Sequence, residues 1–382
     1  MKRVAVLGST GSIGQNPLKV IRALGNGYSV AAIAANTGVE TLRAQADETG
    51  APLAALLDPS AARAYEKSPR RRRPKTIAGF DGLAAMLEEA RPDIVVVALV
   101  GAAALKPALA AARLGCRLAL ANKECLVMAG HLLAAACAKS GAEIVPVDSE
   151  HSAVFQILKG HGDGPVRRII LTASGGPFWR ADAAAIARAT VAEALAHPNW
   201  RMGKKITVDS ATFMNKALEV VEARWIFSLP PERIAILVHP QSIVHALVEF
   251  EDGSTFAHMG RPDMRVPIQY ALTHPSRLRG DVEPIDLAKV GTLSFEEPDP
   301  VRFPAVRFGH RVAREGGTSG AVLNGANEAA VALFLEGKIP LPEIAARVER
   351  ALDRRPRGEG ATLEEILEAD RFGRESAGGP AR

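Results

Sequence analysis

The sequence predicts an α/β protein: an N-terminal doubly wound, Rossmann-like domain, a central α+β domain and a C-terminal helical domain. Three observations carry this. In the first third, short β-branched runs alternate with Ala- and Leu-rich stretches of helical period. Those runs are almost continuously apolar, as parallel strands covered on both faces must be. The first run leads straight into a glycine-rich turn, Gly8-Ser9-Thr10-Gly11-Ser12-Ile13-Gly14, which opens an apolar-periodic helix.

The elements follow in order. Arg3–Leu7, Ser29–Ala34, Ile94–Leu99, Arg117–Leu120 and Glu143–Val147 read as strands of one sheet that ends near residue 148. Ligands of such sheets sit beyond the carboxyl ends of the strands. Those ends carry Gly8, Asn36, Gly101, Asn122 and Asp148. The middle third reads as a strand at Arg168–Leu171, a tight loop at Thr172–Pro177, and a helical stretch from Asp209 to Phe227. Ile234–Val238, Ile243–Phe250 and Thr255–His258 read as strands, the last two joined by the hairpin signal Glu251-Asp252-Gly253-Ser254. The expected organisation is a nucleotide-binding domain over 1–148, a catalytic domain over 149–283, a Pro-rich linker over 284–304 and a helical domain over 305–372. A Gly- and Arg-rich tail, 373–382, is expected to be disordered.

Composition sets limits. The 382 residues suggest two or three domains, at roughly 100–200 residues each. The net charge of +5 is modest. Much of it lies in Arg70-Arg71-Arg72-Arg73, flanked by prolines and lacking interleaved aromatics, so it reads as a solvated loop and no nucleic-acid partner is expected. Cys116, Cys125 and Cys137 show no CxxC pairing, which points to reduced thiols in the cytoplasm. The N-terminus runs into a strand with no room for a signal peptide, and no apolar run is long enough to span a bilayer.

Glycines spaced as in Gly8–Gly14 let the backbone approach a pyrophosphate, and the following helix N-terminus attracts its charge. The position that holds a ribose-binding carboxylate in NAD enzymes reads Asn36-Thr37-Gly38, so NADP is favoured. Lys123, within Asn122-Lys123-Glu124 at a strand end, reads either as a surface cation or as a group that polarises a substrate oxygen. Asp148 and Glu150, two apart, read either as solvated helix-capping carboxylates or as ligands sharing one side of an extended segment. A third carboxylate favours ligation: Glu219 lies four residues after Asn215 and three after Lys216 on a helix starting near Ser210. Three carboxylates without Cys or clustered His suit Mg²⁺ or Mn²⁺. Ser174, Ser210, Asn215 and Lys216 supply hydroxyl, amide and ammonium donors fit for a phosphate.

The segment His197-Pro198-Asn199-Trp200-Arg201-Met202-Gly203 breaks helix on both sides of an aromatic, and Arg201, Lys204 and Lys205 demand solvent. It reads as a lid, loosely ordered without substrate, that closes with Trp200 over the substrate's carbon chain.

The motifs GSTGSIG, ANKE, PVDSEHSAVFQ, TASGGPF, HPNWRMGKKITVDSATFMNKALEVVEARWIF, HPQSIVHALVEFEDGS, MGRPDMRVPI and LNGANEAAV, in this order, resemble the 1-deoxy-D-xylulose 5-phosphate reductoisomerases. The resemblance covers most of the chain. It implies NADPH-dependent rearrangement and reduction of 1-deoxy-D-xylulose 5-phosphate to 2-C-methyl-D-erythritol 4-phosphate, a divalent metal and a homodimer. It implies Asp148, Glu150 and Glu219 as metal ligands, and Lys123 beside metal and substrate. Ser149, Ser174, His197, Ser210, Asn215 and Lys216 match substrate contacts. Thr10, Gly11, Ser12, Ile13, Asn122, Glu124 and Gly203 match cofactor contacts, with Asn36-Thr37-Gly38 in a departing 2′-phosphate loop. Cys125 and Arg201 also depart from the common pattern. Two other readings fit the layout: a dehydrogenase of the homoserine or semialdehyde type, which needs no three-carboxylate site, and a non-catalytic NADPH-sensing protein.

Overall fold

Seven parallel strands form the sheet of the first unit, in a computed structural model that describes residues 1–67, 74–161, 164–200 and 202–378. They are β1 (Lys2–Leu7), β2 (Tyr28–Ala35), β3 (Leu53–Leu56), β4 (Lys75–Ala78), β5 (Ile94–Val97), β6 (Arg117–Leu120) and β7 (Ile144–Pro146). Their order is β4-β3-β2-β1-β5-β6-β7, so the chain winds outward from β1 in one direction and then in the other. The order reverses beside β1, where its glycine turn opens. Val4 to Leu7 and Ile94 to Val97 are fully buried, which explains their unbroken apolar character.

Two of these strands escape a pattern reading. Leu53-Ala54-Ala55-Leu56 is made of strong helix formers. Lys75–Ala78 is a half-exposed edge strand with little apolar signal. The Arg70–Arg73 run lies outside the described residues.

The first unit comprises Met1–Cys125, Leu133–Ser152 and Asp263–Val282; the second comprises Leu126–Leu132, Ala153–Pro262 and Glu283–Arg382. Residues 263–282 bring the helix Arg265–Thr273 back against the helix Gln15–Leu24 of the first unit. There the Arg117 guanidinium donates to the His274 carbonyl at 2.7 Å.

The second unit holds a four-stranded sheet of order β11-β10-β8-β9, with β8 at Val166–Ala173, β9 at Ile234–Val238, β10 at Val244–Phe250 and β11 at Thr255–Met259. β8 runs parallel to β9 and antiparallel to β10, which forms the expected hairpin with β11. Ile169, Leu171, Val220, Ile236 and Val248 build the core beneath it. A second apolar cluster joins Leu218 and Val221 to Phe308, Leu323 and Val348 of the C-terminal helices Ala305–Glu315, Ser319–Leu335 and Leu341–Arg354. Residues 284–304 contain a one-turn helix, Leu287–Val290, and a bridge from Glu296 to Val238. The last helix, Leu363–Ser376, includes residues 373–376 of the expected tail; residues 379–382 lie outside the described residues. No described helix is long and apolar enough to cross a membrane.

Candidate active site

In the first unit, the chain leaves β1 through Gly8 at a φ of +88°, where a Cβ would sit 2.5 Å from the Ala98 carbonyl oxygen. At Gly14 a Cβ would lie 2.0 Å from the Gly8 carbonyl oxygen. Only glycine permits this winding. The turn closes through Gly11 N–H to the Gly8 carbonyl at 3.1 Å and delivers the helix Gln15–Leu24 to the end of the sheet. This is a cradle of the shape and polarity a dinucleotide pyrophosphate needs. Thr10 adjoins Gly38, where a Cβ would fall 2.9 Å from the Thr10 hydroxyl oxygen, so the two expected cofactor segments share one corner.

One residue that stabilises this corner was not legible in the sequence. Gln45 is buried on the helix Val39–Thr49 and clasps Ser9 from both sides. Its amide donates to the Ser9 carbonyl at 2.8 Å, and the Ser9 hydroxyl donates to its carbonyl oxygen at 2.7 Å. A lone Gln amid Leu42 and Ala46 gives no signal beyond an interrupted apolar face.

Asn122 spends its amide within the scaffold. It donates to the carbonyls of Leu99 at 2.8 Å and Gly101 at 3.1 Å and accepts from Cys125 N–H at 2.8 Å. It thereby ties the ends of β5 and β6 together. Lys123 is buried, which removes the surface-cation reading, and its Nζ lies 2.5 Å from an Asp148 carboxylate oxygen.

Asp148 and Glu150 are half-buried, and oxygens of their carboxylates lie within 4.8 Å of one another. The segment is not extended as expected, because the helix Ser149–His161 starts immediately. Asp148 precedes that helix and Glu150 occupies its first turn. The Asp148 carboxylate accepts Ser149 N–H at 3.0 Å, and the Ser149 hydroxyl donates to Glu150. Hard anionic oxygens beside a buried ammonium fit a Mg²⁺-type ion.

In the second unit, the helical stretch from Asp209 to Phe227 is two helices, Lys204–Ala211 and Met214–Phe227. Phe213 breaks them apart with a left-handed φ of +61°. Ser210 therefore ends one helix, while Asn215 and Lys216 stand in the first turn of the next, where the helix dipole favours an anion. Glu219 is fully buried on the same helix. Its carboxylate accepts from the Asn215 amide and lies 2.5 Å from Lys216 Nζ. A fully buried carboxylate is not a solvated face.

Ser174 follows β8. Its hydroxyl oxygen lies 3.3 Å from the Gly176 N–H and 2.8 Å from His197 Nε2. A Cβ on Gly176 would meet the Ser210 carbonyl oxygen at 2.8 Å, so Ser210 adjoins this loop. Burial lowers the His197 pKa from its ordinary value. Trp200 is half-buried, with its ring 6.5 Å from that of His245. Arg201 lies outside the described residues, and Gly203 caps the helix that begins at Lys204. A further buried pairing joins Asn327 of the helix Ser319–Leu335 to Asp209 at 2.9 Å, and Lys205 lies 2.8 Å from the other Asp209 oxygen.

The fold defines a dinucleotide-binding α/β protein, with a second unit that gathers hydroxyl, amide and ammonium groups on the loop after β8 and the helices Lys204–Ala211 and Met214–Phe227. Family models describe its ancestry over nearly the whole length. The 1-deoxy-D-xylulose 5-phosphate reductoisomerase model matches residues 4–130, and two models for C-terminal domains of the same enzyme match 144–227 and 259–376. The 1-deoxy-D-xylulose 5-phosphate reductoisomerase of Chlorobium chlorochromatii is 46% identical over 377 residues, covering 99% of both chains. That of Bordetella avium is 48% identical over 96% of this chain and 94% of its own. Among solved structures, the Zymomonas mobilis enzyme in complex with NADPH is 42% identical with a TM-score of 0.92, over 98% of both chains. A reductoisomerase bound to NADPH, fosmidomycin and magnesium is 38% identical with a TM-score of 0.93, over 99% of this chain and 98% of its own. The chain belongs to the 1-deoxy-D-xylulose 5-phosphate reductoisomerase family.

Proposed function

We infer that this chain converts 1-deoxy-D-xylulose 5-phosphate to 2-C-methyl-D-erythritol 4-phosphate, with NADPH as reductant and a divalent ion, Mg²⁺ or Mn²⁺, as cofactor. The observation that carries this is the match of three models of one enzyme family to residues 4–130, 144–227 and 259–376, with relatives 46% identical over 377 residues. The dehydrogenase and sensor alternatives have no support beside it.

In this reading, residues 1–148 carry the dinucleotide through Thr10, Gly11, Ser12, Ile13, Asn36, Thr37, Gly38, Asn122 and Glu124, with Gly203 adding a contact. Residues 149–283 carry metal and substrate, and 284–304 lead to the C-terminal helices. Asp148, Glu150 and Glu219 hold the metal. Ser149, Ser174, His197, Trp200, Ser210, Asn215 and Lys216 hold the sugar phosphate.

When bound, the divalent ion supplies positive charge against the oxygens of the rearranging carbon skeleton, and the reduced nicotinamide supplies the hydride for the resulting aldehyde. The protein's groups do the rest. Lys123, buried beside Asp148, adds a fixed positive charge where negative charge develops on oxygen. Lys216 and Asn215 orient the Glu219 carboxylate and sit at a helix N-terminus that favours the phosphate. Ser174 offers its hydroxyl proton, since its oxygen already accepts from Gly176 and His197. Trp200 excludes water from the carbon chain.

We also propose a homodimer and a cytoplasmic address. The first rests on the family resemblance, and the second on three buried free cysteines.

The deciding experiment mixes the protein with Mg²⁺, NADPH and 1-deoxy-D-xylulose 5-phosphate and follows the absorbance of the reduced cofactor. Absorbance falls only when all three are present. A flat trace in the complete mixture overturns the assignment.

A further inference from the structure

Asn199 is one residue from Trp200 and two from His197, yet its side chain turns to neither. Its amide nitrogen donates to the Pro240 carbonyl at 2.5 Å and to the Ser242 hydroxyl oxygen at 3.0 Å. Both acceptors sit in the turn between β9 and β10, more than forty residues away in sequence.

That turn is itself held. Ser242 N–H donates to the His239 carbonyl at 3.0 Å, and Ser242 takes a left-handed φ of +53°. The Gln241 amide donates to the Ser294 hydroxyl oxygen at 2.9 Å. The His239 ring stacks on Phe295 with centroids 4.6 Å apart. Val238 and Glu296 exchange main-chain hydrogen bonds of 2.8 and 3.0 Å just before the turn.

The loop is braced in turn on His197. Its Nδ1 accepts the backbone N–H of Asn199 at 3.2 Å and of Trp200 at 2.9 Å. An Nδ1 that accepts leaves the neutral ring's proton on Nε2, which faces the Ser174 hydroxyl oxygen at 2.8 Å. His197, Asn199 and Trp200 therefore form one braced unit, whose anchorage to the turn is the Asn199 amide.

We propose that Asn199 is a positioning residue for the reaction: by clamping this loop to the 240–242 turn it sets where His197 meets Ser174 and where Trp200 stands. The proposal rests on the reductoisomerase reading for the identity of the substrate, but the clamp itself does not depend on it. The Asn199 amide is spent on the turn, so its effect passes through its neighbours. The two donors of one amide match the two acceptors. An aspartate of the same size has none to offer and would set its charge against a carbonyl oxygen.

The test compares wild type, Asn199→Ala, Asn199→Asp and Ser242→Ala. Losing the clamp raises the KM for 1-deoxy-D-xylulose 5-phosphate about tenfold in Asn199→Ala and at least as much in Asn199→Asp, as two hydrogen bonds imply. Ser242→Ala, which removes one of the two bonds, raises it less. The KM for NADPH stays within about twofold, and combining Asn199→Ala with Ser242→Ala adds nothing to the first, because both act on one contact. Amide hydrogen exchange at Trp200, measured on the protein alone, speeds up by a similar factor in Asn199→Ala. An unchanged sugar-phosphate KM and unchanged exchange in Asn199→Ala overturn the proposal. So does a variant that merely melts earlier with both KM values intact. If wild type shows no turnover, the functional assignment fails by itself, and the exchange measurement still decides the clamp.

Discussion

Nε2 of His197 faces the Ser174 hydroxyl oxygen at 2.8 Å, while Nδ1 of the same ring accepts two backbone N–H groups. A neutral imidazole with its proton on Nε2 satisfies all three contacts; an imidazolium does not, because a protonated Nδ1 would face two donors.

A first prediction follows for pH. Burial holds the His197 pKa below its ordinary value. The neutral form is therefore favoured by folding, and this stability is fully present above the unfolded pKa of about 6.5 and is lost as pH falls through the folded value. His239 is also lowered, by burial first, but its Nδ1 faces the Ser294 carbonyl at 2.9 Å and must carry the proton. Nitrogen-15 spectra of the two imidazoles should show opposite tautomers at pH 7, with both rings titrating below about 6.5. Matching tautomers would contradict the contacts described.

Glu219→Gln removes an anionic oxygen from a fully buried position. The Mg²⁺ concentration for half-maximal activity should rise at least about tenfold, the equivalent of ~1.4 kcal/mol. A titration of activity against Mg²⁺ measures this, and an unchanged curve removes Glu219 from the metal.

Gln45→Leu keeps the volume of the side chain but leaves the Ser9 hydroxyl and carbonyl without their shared partner. A loss of about 1–3 kcal/mol in stability is expected. NADPH, titrated by its own fluorescence without substrate, should bind at least about tenfold more weakly. The KM for the sugar phosphate should change little. Equal NADPH affinity would show that the glycine turn holds its shape without the clasp.

Cofactor preference is checked with the natural protein. No carboxylate stands at Asn36-Thr37-Gly38 to repel a 2′-phosphate. The kcat/KM for NADPH should exceed that for NADH by about tenfold or more, the worth of one charge-assisted hydrogen bond. Equal values would refute the reading of this loop.

Asp209→Ala breaks the pairing of α-helical segments that are far apart in sequence, leaving Asn327 and Lys205 without this carboxylate. Because Lys205 keeps some access to water, the cost should be about 2 kcal/mol, below that of a fully buried pair. Denaturant unfolding reads it directly; a midpoint equal to wild type would mean that the pairing contributes nothing.

The sequence by itself determined five of the seven strands of the parallel sheet and the glycine turn, and it singled out the candidate groups for the chemistry. Each has a local signature. Val4–Leu7 and Ile94–Val97 are apolar because both faces are covered, and Gly8 and Gly14 are glycines because a Cβ has no room. Lys123, Asp148, Glu150 and Glu219 stood out as charges where a pattern of burial left none expected. Only the tertiary structure decided the rest. The break at Phe213 puts Ser210 on a different helix from Asn215, and no propensity announces a left-handed phenylalanine. β3 is built of strong helix formers and becomes a strand by pairing with its neighbours. Gln45, Asn199 and Asp209 act through partners 36, 41 and 118 residues away. A hydrogen bond across that distance imposes no period, spacing or composition on the chain around either partner, so it becomes visible only when folding has brought the two ends together.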